Sequence, residues 1–186
     1  MEKSKLMMSL FIVFIMVLST AGFIINQDNS GEQAVEYNGV VLKINEKGVY
    51  AETDFGKIHF DFLPENTEDI ELNPLVVSRI KNTKMAYLTS EHNSTLSQAV
   101  GYAEYEIVNA LGKRGVYLEA GFITETGKAK KITCSDATDF IPVLFFREGE
   151  AGIDVQGNCV MLSADSETGF LRIKDRLLYS VFGIME

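Results

Sequence analysis

Basic residues, cysteine and histidine are all scarce in this 186-residue chain. It carries 17 Lys and Arg against 26 Asp and Glu, with two cysteines and two histidines. The shortage of base excludes nucleic acid as a partner and disfavours anionic lipid headgroups, since both require a positive face. Cys134 and Cys159 stand far too far apart for a CxxC redox pair, and without neighbouring histidines they make a poor zinc site. No stretch repeats, and none is of low complexity. Nothing in the pattern calls for a metal or a cofactor.

One segment lacks charge altogether. Leu6–Ile25 reads LMMSLFIVFIMVLSTAGFII. Twenty helical residues at about 1.5 Å each reach roughly 30 Å, the thickness of a bilayer's hydrocarbon core. Lys3 and Lys5 precede the run, and the residues just after it, Asn26 to Glu32, contain no base. The positive-inside rule then expects residues 1–5 in the cytoplasm, a single-pass anchor over residues 6–25 and the remainder outside the cell. A cleaved signal peptide ending near Ser19-Thr20-Ala21 is the alternative, and it gives the same placement. Phe23, Ile24 and Ile25 continue the apolar run past that point, which favours the uncleaved anchor. Setting aside Lys3, Lys5 and Glu2 leaves 15 basic and 25 acidic residues, a net charge of −10 for the outer part. That acidity suits a soluble exported domain. About 150 residues are enough for one domain with a true core.

Residues 26–36 read as a polar linker and residues 37–186 as the extracytoplasmic domain. Val40, Leu42 and Ile44 alternate with polar neighbours. Glu46-Lys47-Gly48 and Asp54-Phe55-Gly56 are turns, and Ile58, Phe60 and Phe62 form a third apolar row, so a three-stranded antiparallel meander is expected. Asn73-Pro74 opens a short helix. Met85–Leu88 is a short strand. Leu96, Ala99, Val100, Ala103, Ile107, Ala110 and Leu111 share one helical arc, with Ser94 or Thr95 as cap and Gly112 as stop. Val116–Thr124 follows as a strand, completing a βαβ unit with parallel strands. Ile132–Ser135 reads as a short strand and Val143–Phe146 as one buried on both faces. Gly157-Asn158 is a two-residue hairpin turn that sets Val155 opposite Val160 and Ile153 opposite Leu162, with Cys159 and Met161 on the other face. Asp165 or Ser166 caps a terminal amphipathic helix carrying Phe170, Ile173, Leu177, Val181 and Ile184. Lys174 interrupts its apolar arc and would have to snorkel. The expected fold is α/β (or α+β): a mixed sheet with an N-terminal meander, one βαβ unit, a C-terminal hairpin and a terminal helix.

Chemistry-bearing residues are few. His59 and Asp61 sit on one strand face as half of a metal site or, more simply, as a solvated face. His92 precedes the long helix, where it would serve as a general base or as an ordinary loop residue. The joint Thr89–Thr95 offers helix N-terminal N–H groups to an anion but contains no glycine. Asn93-Ser94-Thr95 is a glycosylation sequon, with Asn93 the acceptor. Cys134 and Cys159 form a disulfide or remain two buried thiols; outside the cytoplasm a bridge is permitted, and in the chain-entropy model it is worth about 3.5 kcal/mol. As a nucleophile Cys134 is poorly placed, because Asp136 would raise its pKa. Lys113, Arg114, Lys128, Lys130 and Lys131 flank one strand and would gather at one end of the sheet as a basic cluster in an acidic domain.

Ile132-Thr133-Cys134-Ser135-Asp136-Ala137, Pro142-Val143-Leu144, Gly157-Asn158-Cys159-Val160, Asp175-Arg176-Leu177-Leu178-Tyr179 and Gly183-Ile184-Met185 together resemble a group of small, single-span, uncharacterised archaeal proteins. The resemblance runs from about Tyr37 to the end. It implies a membrane anchor and a paired-cysteine element, and it brings no activity and no catalytic residue. The expectation is therefore a membrane-anchored binding or assembly domain of the cell envelope, with an envelope protein as partner. The alternatives are an exported hydrolase or thiol enzyme using His92 or Cys134, and a small-ligand binder with a deep apolar pocket.

Overall fold

Two sheets share one core, where the sequence pattern suggested a single mixed sheet. The computed structural model describes residues 33–186. The expected span over residues 6–25, the five residues before it and linker residues 26–32 lie outside the described residues. Among the described residues, no helix is long and apolar enough to cross a membrane.

The first sheet is a meander of four strands, β1 (Gln33–Tyr37), β2 (Val40–Asn45), β3 (Gly48–Thr53) and β4 (Gly56–Phe60), in that order. The expected linker therefore ends four residues early, and the meander gains a strand. The turn that makes this strand is Asn38-Gly39, with φ of 49° and 80°. Both central residues are left-handed, which Asn and Gly tolerate and which matches the twist of a tight hairpin. Leu42, Val49, Ala51, Ile58 and Phe60 point into the core.

The second sheet is mixed, in the order β6-β5-β7-β9-β8. It follows α1 (Pro74–Asn82), whose first turn is capped by the Asn73 side chain accepting from Leu75 N–H. Strand β5 (Met85–Ser90), helix α2 (Ser97–Lys113) and strand β6 (Tyr117–Phe122) form the expected βαβ unit, with β5 and β6 parallel. Helix α2 does not stop at Gly112. It runs through Lys113, and Gly115, at φ 78°, turns the chain. No side chain caps its start; Ser94 Oγ accepts from Leu96 N–H one residue ahead of the helix. Residues 132–135 do not pair as a strand. Lys131 makes a single parallel bridge to Phe122, and Cys134–Asp136 is a 3₁₀ turn boxed by Thr133 and Asp136.

Strand β7 (Val143–Glu148) runs centrally between β5 and β9, parallel to both, and its apolar start is buried. The hairpin of β8 (Gly152–Gln156) and β9 (Cys159–Ala164) has the register read from the sequence, with Val155 opposite Val160 and Ile153 opposite Leu162. Helix α3 (Glu167–Val181) is capped by Ser166, whose Oγ accepts from Gly169 N–H.

All three helices and the meander pack into one cluster of apolar side chains on one face of the mixed sheet. The opposite face carries a smaller cluster of Ile132, Val143, Cys159 and Met161.

Candidate functional site

Where β4 leaves the meander it meets α2 and α3, and there the chain buries charge. Lys174 is fully buried, so it does not snorkel as its place on the apolar arc suggested. Its Nζ lies 2.6 Å from Asp61 Oδ2 and 2.6 Å from Asp175 Oδ1. The contact with Asp175 is one of charge without hydrogen-bond alignment, since Oδ1 has no aligned donor among the described residues. Asp175 Oδ2 accepts from the backbone N–H groups of Asp61 (2.9 Å) and Phe62 (2.8 Å). The Tyr102 hydroxyl, from α2, donates to Asp61 Oδ1 at 3.1 Å. One turn beyond Asp175, the Tyr179 hydroxyl donates to the Phe62 carbonyl at 2.6 Å, and its ring stacks on Phe60 at 3.9 Å.

Two carboxylates thus face one ammonium in an apolar junction. Taking such charges from water costs several kcal/mol per ion, which is offset only by close pairing and by the extra hydrogen bonds seen here. Burial pushes the Asp175 carboxyl up to about 6, with Lys174 and the backbone donors pulling the other way. Burial, then the charge and hydrogen bond of Asp61, push the Tyr102 hydroxyl up, so it stays a donor. The sequence signal for this site was the lysine interrupting an apolar arc. Its pairing with Asp61 was not legible, because the two residues lie 113 positions apart.

The other sequence candidates fall apart from one another. His59 does not join Asp61. Its Nδ1 pairs with Glu106 at 3.0 Å and its Nε2 meets the Lys47 carbonyl at 2.8 Å. No cluster of three or more metal-ligating side chains occurs among the described residues. His92 is exposed and stands edge-on to Phe122, with ring centroids 5.0 Å apart. Cys134 and Cys159 are bridged, with sulfurs 2.02 Å and Cα atoms 5.2 Å apart, so Cys134 carries no thiol. Asp136, which seemed a neighbour hostile to a thiolate, caps its own turn by accepting from Thr133 N–H and Oγ1.

Asn93 is exposed in the turn before α2. That joint does not suit an anion, because Ser94 Oγ donates to the Glu148 carboxylate at 2.7 Å, placing negative charge there already. The basic residues do not gather. Lys113 and Arg114 lie where the chain enters β6, and Arg114 covers the Phe55 ring and donates to the Val181 carbonyl. Lys130 pairs with Glu119 beyond the strand. A cleft of about 970 Å³ is open and lined mainly by polar side chains including Asp69, Glu71, Glu150 and Asp154. It differs from the deep apolar pocket expected of a small-ligand binder.

No family model, no curated protein and no solved structure matches this chain.

Proposed function

We propose that this protein is a membrane-anchored, extracytoplasmic binding or assembly domain of the cell envelope. The observation that carries the reading is the Cys134–Cys159 bridge. Structural disulfides persist in oxidising compartments, and the apolar run over residues 6–25 supplies a route there and a tether. An exposed Asn93 sequon is consistent with that side of the membrane. The chemistry-bearing side chains support a structural more than a catalytic use: His59 holds Glu106, Asp61 holds Lys174, and both sulfurs are bonded to each other. Kinship with the small single-span proteins named above belongs to the same proposal.

Protease added to intact cells tests it. The domain should be degraded without lysis, and cross-linking before detergent extraction should trap an envelope protein. A domain that survives until the cells are opened overturns the placement. A domain that is degraded but never cross-links to a protein overturns the binding role.

A further inference from the structure

We propose that Lys174 and Asp61 condense spontaneously into an intramolecular isopeptide bond, tying β4 to α3 by a second covalent staple. The inference is independent of the cellular placement argued above. It starts from geometry. Lys174 Nζ is 2.6 Å from Asp61 Oδ2, so it stands at most about 3.8 Å from Cγ. That is close to the separation of reacting atoms in a near-attack arrangement. The nucleophile is fully buried, and Asp61 is 23% exposed at the rim, which gives the expelled water an exit.

The neighbours supply the remaining parts. Tyr102 donates to Asp61 Oδ1, the oxygen that gathers negative charge as Nζ adds to Cγ and that becomes the amide carbonyl. Asp175 Oδ1 lies 2.6 Å from the same Nζ, without hydrogen-bond alignment to it. Its other oxygen is pinned by two backbone N–H groups, so the carboxyl is fixed in place as a proton carrier. In the step itself, one proton passes from Nζ to Asp61 Oδ2, and the neutral amine adds to Cγ of the neutral carboxyl, forming the Nζ–Cγ bond. A second proton travels from Nζ through Asp175 to Oδ2, and the Cγ–Oδ2 bond breaks as that oxygen leaves as water. An ammonium and a carboxylate become a neutral amide and one water, so atoms and charge balance without a further reactant. The product removes the Lys174 and Asp61 charges from an apolar junction and leaves Asp175 held by the two backbone N–H groups.

The test is the mass of the purified full chain, followed by digestion and tandem mass spectrometry. The expected chain is lighter than its sequence by one water, beyond the hydrogens lost to the disulfide. The peptide containing Asp61 is joined to the peptide containing Lys174. Lys174→Arg, which keeps the cation, and Asp175→Asn, which keeps an acceptor for the two backbone N–H groups, should both stay unlinked. Wild-type peptides that separate on digestion overturn the proposal, including the case where a water is lost elsewhere, as in a succinimide. A linked Asp175→Asn chain overturns the role given to Asp175. The wild-type measurement decides the bond even where a variant fails to fold.

Discussion

Glu104 of α2 is half-buried, and its Oε1, itself shielded from solvent, has no hydrogen-bond partner among the described residues. Desolvation pushes its carboxyl up to about 7, against the pull of a hydrogen bond from Ser90. The folded state therefore binds a proton more tightly than the unfolded chain, where a glutamate titrates near 4.3. Stability from this group is full below about pH 4, declines as pH rises, and is lost by about pH 7, with an upper bound of roughly 4 kcal/mol. Asp175 is shifted the same way. Asp69, Asp136 and Asp154 are held below the usual range by hydrogen bonds, so their stabilising effect fades only in stronger acid. Glu104→Gln should flatten the decline between pH 5 and 7 and leave the chain more stable at pH 8. Urea melts at those pH values check it; an unchanged slope would show that the group is not desolvated in solution.

At the scale of elements, α3 organises the junction. It presents Phe170, Ile173, Leu177 and Val181 to the core and Lys174 and Asp175 to the end of β4. Its first turn is capped by Ser166 Oγ, which accepts from Gly169 N–H. Ser166→Ala should cost about 1 kcal/mol, read as a lower denaturant midpoint with an unchanged slope. The open edge of the meander is also managed at this scale. The outward Lys57 carbonyl accepts from Lys113, and the outward Asp61 N–H donates to Asp175. Side chains from two helices thus occupy groups that would otherwise recruit another strand. Asn38-Gly39, a strong short-range hairpin signal, is the local feature that marks the end of β1.

For the molecule as a whole, the disulfide closes a separation of 25 residues on the face of the mixed sheet away from the helices. It joins the irregular segment of residues 123–142 to the buried strand β9, beside the hydrogen bonds that Thr89 Oγ1 and Thr83 Oγ1 donate to the Ile132 and Phe140 carbonyls. Cys134→Ala with Cys159→Ala should lower stability by about 3.5 kcal/mol, measured by urea unfolding against the oxidised wild type. Hydrogen exchange should quicken first in residues 123–142, while the helix-bearing face keeps its protection. Equal quickening everywhere would mean that the bridge holds the whole core and not one face.

The sequence by itself determined the elements whose reasons are local. Period-two and 3.6-residue patterns placed the β8–β9 hairpin with its register, the βαβ unit and α3, because the turn residues and apolar faces that fix them lie within a few positions of each other. That register also put Cys159 on the face opposite Val160, where its partner is found. What only the tertiary structure decided are the pairings between distant positions. The meander became a separate sheet, Lys174 went inside, and Asp61 exchanged its neighbour His59 for a lysine on the last helix. A buried charge is tolerable only where packing brings the opposite charge and backbone donors to it, and that packing is a property of the assembled core, not of any single stretch of chain.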